Sequence, residues 1–293
     1  MEALSNIKRR PSPVFTSDFS ALGSERILTE SLYPTGFIFH GGRSGSTLLI
    51  KALARSRANL VLGEAAPFAG ILSILTNFWQ RTVGADPRDS LFFKHLVLAM
   101  GRRRLTAHRA YLIKFTSFNL FFYDFITGVF PDVPALFLYR EPQAMLSSML
   151  DNPPGWLNSL DPKLRALITG VTAGENQAIE PLLYAERALA KIFSAALQAG
   201  ARGLRFLNYH QLTANNLPVI LQALNIAASP EELRLMSTQF DYYSKDDYGA
   251  QLFHPDSRIE RRGAKSDRRT GAARELEGLY KELARSTSNL FTA

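Results

Sequence analysis

The chain has 293 residues, enough for one large domain or two small ones, and 46% are hydrophobic, an ordinary fraction for a globular protein. Its 34 Lys and Arg against 26 Asp and Glu give a net charge of +8, which suits an anionic ligand, a nucleic acid or a membrane surface without choosing among them. The lack of cysteine excludes disulfides, zinc–thiolate sites and thiol catalysis. No run approaches the ~20 apolar residues of a spanning helix. The first residues, MEALSNIKRRPSPVF, lack the apolar core of a signal peptide. A soluble, cytoplasmic protein with no membrane span is expected.

Residues 1–35 carry Pro11, Pro13 and Pro34 and read as an arm with one short helix, Ser24 to Leu32. Gly36 to His40 is a short apolar run that predicts a buried strand. A polar glycine loop follows, and from Ser46 an apolar helix runs to about Ala54. Asn59 to Leu62 predicts a second strand, ending at Gly63-Glu64. Residues 65–80 and 88–101 read as helices, with the basic run Gly101 to Arg104 as a solvated helix end. Ala110 to Phe115 predicts a third strand with Lys114 near its end, and the aromatic segment TSFNLFFYDF after it reads as helical. Ala135 to Tyr139 predicts a fourth strand, ending at Arg140. Pro142 fits the first turn of the next helix, which stops at DNPPG. A long helix over about Glu175 to Ala199 precedes a fifth strand, Gly203 to Asn208, and two more helices cover about 215–224 and 230–239. Alternating strands and helices predict a parallel sheet of about five strands with helices on both faces, in one α/β domain over 36–293.

The stretch GFIFHGGRSGSTLL (36–49) is the most informative. Strand, glycine loop and helix N-terminus make an anion-binding device: glycines turn backbone N–H groups toward a ligand, and the helix dipole favours negative charge. Gly42, Arg43, Ser44 and Gly45 belong to the tight polar loop, Ser46 and Thr47 add hydroxyl donors, and Arg43 adds a fixed charge. It is not a Walker A loop, because Ser46 stands where the phosphate-binding lysine would be. In α/β sheets ligands bind beyond the carboxyl ends of the strands. Glu64, Lys114, Arg140 and Tyr209 stand at such ends. A P-loop NTPase usually ends one strand in an Asp that helps hold Mg²⁺; here the fourth strand ends in Arg140, which suits an anionic oxygen. The five histidines show no metal-ligand spacing, and no metal is expected.

G-G-R-S-G-S-T-L-L resembles the 5′-phosphosulfate loop of the sulfotransferase superfamily, which carries G-x-x-R-S-G-T-T-L-L at this place. Arg140 and Ser148, in FLYREPQAMLSSML, are similar to that family's Arg-x7-Ser motif for the 3′-phosphate of 3′-phosphoadenosine 5′-phosphosulfate (PAPS). LRFLNYHQLT resembles its strand-Tyr-Glu-x-Leu segment, with Tyr209 at the tyrosine and His210 and Gln211 in place of the acidic pair. The resemblance covers residues 36–225 and is closer to the Golgi-type and bacterial branch than to the cytosolic one. Cytosolic members carry a catalytic His two residues after the strand lysine, where this chain has Thr116.

The resemblance implies a P-loop NTPase-like three-layer sandwich. It also implies in-line sulfonate transfer from PAPS, leaving PAP, to a hydroxyl or amine of a small molecule, lipid, carbohydrate or peptide, with no nucleic acid involved. Gly42, Arg43, Ser44, Gly45, Ser46, Thr47, Arg140, Ser148 and Tyr209 would hold the nucleotide. Arg43 and Lys114 would stabilise the transferring group, and Glu64 would take the acceptor's proton. RIERRGAKSDRR resembles the basic loop that closes over the nucleotide, which would add Arg262; a solvated basic tail is the alternative. Two other readings remain open: a P-loop kinase or NTPase with an altered loop, and a non-catalytic nucleotide-binding relative.

Overall fold

The expected strands form at Gly36–His40 (β1), Asn59–Gly63 (β2), Ala110–Lys114 (β3), Ala135–Tyr139 (β4) and Arg205–Asn208 (β5). All four pairings are parallel, in the order β2-β3-β1-β4-β5. This is a computed structural model, and it describes residues 19–75, 86–154, 157, 180–242 and 271–291. β1, β3 and β4 are buried along their whole length. Successive side chains on a strand alternate between faces. Phe37 and Phe39 enter one core with Phe115, Phe130 and Phe137, while Ile38 enters a second with Leu112, Leu136 and Leu207. A sheet that is apolar on both faces needs helices on both, which gives the three layers.

The helices are Glu25–Glu30 (α1), Ser46–Leu53 (α2), Ala66–Leu75 (α3), Pro87–Met100 (α4), Tyr123–Val129 (α5), Pro142–Asp151 (α6), Pro181–Gly200 (α7), Leu217–Ala223 (α8), Pro230–Ser237 (α9) and Gly271–Arg285 (α10). Some begin at side-chain caps: the Ser229 side chain accepts from the Glu232 N–H in a capping box, and Glu141 accepts from the N–H groups of Gln143 and Ala144. The aromatic segment departs from expectation. It forms a 3₁₀ turn, Ser117–Phe122, before α5 begins, because Thr116 and Asn119 close a capping box around a tight turn. The basic run after α4 is a helix end: Arg102 donates to Glu30 at 2.6 Å.

α10 is absent from the sequence expectations. Its Leu276 and Leu283 are buried in the first core, and Tyr280 packs edge-on to Tyr139 of β4 at 6.0 Å. The segment after it runs parallel to β5: the Phe206 N–H donates to the Ser288 carbonyl at 2.8 Å, and the Leu290 N–H to the Phe206 carbonyl at 2.9 Å. The outer edge of β5 is thereby paired. No helix among the described residues is long and apolar enough to cross a membrane.

Candidate active site at the carboxyl edge of the sheet

The strand order reverses about β1, and such a reversal opens a crevice at the carboxyl edge. Along that edge the strand ends bring, in spatial order, Glu64 after β2, Lys114 of β3, His40 and its loop at β1, Arg140 after β4 and Tyr209 after β5. Register sets the first neighbours: Gly63 lies opposite Lys114, and His40 opposite Leu138.

The loop after β1 is shaped by backbone that L-residues seldom adopt. Gly42 has φ 83°, Arg43 φ 52° and Gly45 φ 85°. A Cβ on Gly45 would stand 2.7 Å from the Tyr209 ring, so glycine is required there for both conformation and space. Ser46 starts α2, and Gly45 occupies its N-cap position. The Ser44 Oγ is buried and has no partner among the described residues. Such a left-handed sequence of N–H groups at a helix start, with a buried hydroxyl left over, is fitted to anionic oxygens. Gly42 behaves differently from its neighbours, because its N–H donates to His40 Nδ1 at 2.9 Å. Arg43 donates through a terminal nitrogen to the Asn152 carbonyl just past α6.

Glu64 adopts φ 49° and is half-exposed, whereas the Lys114 side chain is 5% exposed. Lys114 Nζ bonds to Glu64 Oε1, and His40 Nε2 lies 3.2 Å from the same oxygen. Burial alone would raise the Glu64 carboxyl. Contact with His40 and the Lys114 ammonium outweigh that and lower it to about 2. Burial lowers His40 and keeps it neutral, so Lys114 supplies the lasting charge that holds Glu64 ionised. Among the described residues nothing bonds to Glu64 Oε2, which leaves that oxygen for another proton donor.

Across the crevice, the Arg140 guanidinium lies over the Tyr209 ring at 4.2 Å. Among the described residues no carboxylate pairs with Arg140; its neighbour Glu141 caps α6 instead. An arginine held by an aromatic face, with its charge uncompensated, is suited to a phosphate. Tyr209 therefore touches both anion sites, its ring packing on Gly45 and carrying Arg140. Ser148 is on α6, half-buried, beside Met149, whose methyl flanks Gly42. Thr47, in the first turn of α2, is half-buried. Arg262 lies outside the described residues, as do Phe78 and Trp79. The aromatic run is largely core: Phe115 stacks on Phe39 at 5.1 Å.

No protein-family model and no curated protein matches the chain. Among solved structures, the sulfotransferase domain of the Synechococcus PCC 7002 olefin synthase superposes with a TM-score of 0.53, covering 88% of this chain and 96% of that one. The fold is that of a sulfotransferase domain. Identity to that domain is 15%, so the likeness is one of fold. The sulfotransferase STF9 from Mycobacterium avium aligns at 12% identity and a TM-score of 0.48, covering 90% of this chain and 79% of that one.

Sequence reasoning missed His40 as a member of the site. It weighs the five histidines only as metal ligands and finds no such spacing. The available signal was position: a polar residue closing an otherwise apolar strand directly before the glycine loop. Among the described residues no cluster of three or more His, Asp or Glu could hold a metal ion.

Proposed function

We propose that the chain transfers a sulfonate from PAPS to a hydroxyl or amine acceptor. The observation that carries this is the pairing of two anion sites across one crevice, the left-handed loop at β1 and Arg140 beyond β4, which no carboxylate among the described residues pairs, with an ionised carboxylate between the loop and β2. PAPS supplies an activated sulfonate on its 5′-phosphate and a second phosphate at the 3′ position. The N–H groups of residues 44–47 and the Ser44, Ser46 and Thr47 hydroxyls bind the 5′ side, with Gly42 and Gly45 shaping the turn. Arg140, carried by Tyr209 and joined by Ser148, reads the 3′-phosphate. Catalysis then rests on alignment and fixed positive charge.

Arg43 and Lys114 stand on the side where charge develops on the leaving oxygen. Glu64 Oε2 takes the acceptor's proton, with Lys114 on Oε1 before the transfer. A carboxyl lowered to about 2 is ionised at neutral pH but weakly basic. Turning the Lys114 ammonium from Oε1 toward the donor's oxygens makes Glu64 a stronger base at the moment of transfer. The kinase or NTPase reading lacks the loop lysine and meets Arg140 where a metal-holding Asp would stand. Decay to a non-catalytic relative is disfavoured by the intact loop, Arg140 and Glu64–Lys114 pair.

The test is a thermal-shift comparison of PAP, PAPS, ATP and GTP, with and without Mg²⁺. A ligand at ~100 times its Kd adds about 2.7 kcal/mol. PAP should stabilise the protein without Mg²⁺ and more than ATP does. A larger shift with Mg·ATP overturns the proposal.

A further inference from the structure

We infer that His40 is a positioning residue, a neutral imidazole that joins the anion-binding loop to the proton-accepting carboxylate. The inference rests on the sulfotransferase reading for its chemistry, but its geometry stands by itself. His40 closes β1 and is 5% exposed. Its Nδ1 accepts the Gly42 N–H at 2.9 Å and lies 3.3 Å from Ser117 Oγ. A ring nitrogen that accepts from a backbone N–H carries no proton, which assigns the proton of the neutral ring to Nε2. Nε2 is itself buried, and Glu64 is the one carboxylate within its reach among the described residues.

One ring thus sets two things at once. Through Nδ1 it draws the Gly42 amide back toward the sheet, so the left-handed turn presents the amides after it to the crevice. Its Nε2 faces Glu64 Oε1 at 3.2 Å, the oxygen that Lys114 also contacts, so both groups gather on one oxygen and Oε2 has no partner among the described residues. The groups facing the ring are the Gly42 N–H, Ser117, the Phe115 backbone, Glu64 and Lys114. A protonated ring would set an Nδ1–H against the Gly42 N–H, which would lose its acceptor, and the turn would have to open. The loop geometry that suits an anion is therefore tied to the neutral ring.

Two substitutions separate the arms. His40→Asn places an amide oxygen near Nδ1 and nothing near Glu64. His40→Gln reaches toward Glu64 with an amide N–H and leaves Gly42 without its acceptor. PAP affinity by calorimetry reads the loop; the Glu64 side-chain carboxyl carbon, followed by NMR against pH, reads the second arm. His40→Asn should keep PAP affinity within about threefold while the Glu64 titration moves up, because only the first arm is replaced. His40→Gln should weaken PAP by about tenfold or more while the Glu64 titration stays near that of the parent, the loss being that of a satisfied backbone N–H. Parallel loss of both readouts in both variants, or of neither, overturns the inference. If neither variant folds, ring ¹⁵N shifts of the parent protein decide: a proton on Nδ1 overturns it. If the parent does not bind PAP, the sulfotransferase reading fails, and the ring shifts and the Glu64 titration still judge His40.

Discussion

The Glu64–Lys114 pair gives an asymmetric energetic prediction. Its two members differ sharply in burial: the Lys114 side chain is 5% exposed and that of Glu64 44%. Removing one partner of a buried pair costs ~3–5 kcal/mol when the remaining charge stays buried. Glu64→Gln leaves the Lys114 ammonium buried without a counter-charge, but the new amide oxygen can still accept from Nζ, so the cost falls to ~2–3 kcal/mol. Lys114→Met removes the buried charge and keeps its aliphatic volume. The remaining Glu64 is half-exposed and rehydrates, so the cost is ~1 kcal/mol or less. The double variant should cost about the same as Lys114→Met alone, which makes the coupling ~2 kcal/mol. Urea unfolding of the four proteins at pH 7 measures this, provided the slope of stability on urea is unchanged. The reasoning is refuted if Lys114→Met costs as much as Glu64→Gln, or if the two single losses simply add. The same Glu64→Gln protein should keep PAP affinity and lose ~10²–10⁴ in turnover with an alcohol acceptor, which separates its catalytic from its structural effect.

Arg140→Ala should weaken PAP by ~10-fold or more, as expected for a charge-assisted contact, and scarcely change adenosine 5′-phosphosulfate, which has no 3′-phosphate. Equal weakening of both ligands in a calorimetric titration would count against the 3′ assignment. Gly45→Ala should cost more than ~1 kcal/mol, because it combines a left-handed φ with a Cβ 2.7 Å from the Tyr209 ring; denaturation that matches the parent's refutes this. Acid should weaken the fold at two named carboxyls. Glu64 and Glu232 are both lowered from 4.5 to about 2, Glu232 chiefly by the Ser229 N–H, with the Ser56 hydroxyl and Arg109 adding to it against the opposing effect of burial. The unfolded chain holds these protons more tightly, so their stabilisation is complete above about pH 4.5 and is lost as pH falls toward 2. Glu232→Gln should flatten that acid limb in a series of melts between those pH values; an unchanged slope would show that Glu232 does not contribute.

The local parts of this protein were legible in its sequence because local rules govern them. GFIFH is apolar throughout, as a strand buried on both faces must be, and GGRSG can reach positive φ at Gly42 and Gly45, where the turn into α2 demands it. The same holds for the cap at Ser229 and for Arg140 at a strand end. Helix α10 was also within reach, since Leu276, Leu279, Tyr280 and Leu283 recur at helical spacing, yet nothing local says that it packs on α7 and β4. The site itself was decided by topology. Lys114 lies 50 residues from Glu64 and 74 from His40 in the chain, and only the order β2-β3-β1 makes the three neighbours. That order depends on which crossovers the twisted sheet accepts and on which faces the helices can cover, and no stretch of sequence carries either by itself. The proton on His40 follows the same logic: a histidine's tautomer is set by what stands at each nitrogen, and here one neighbour comes from the loop and the other from the far side of β3.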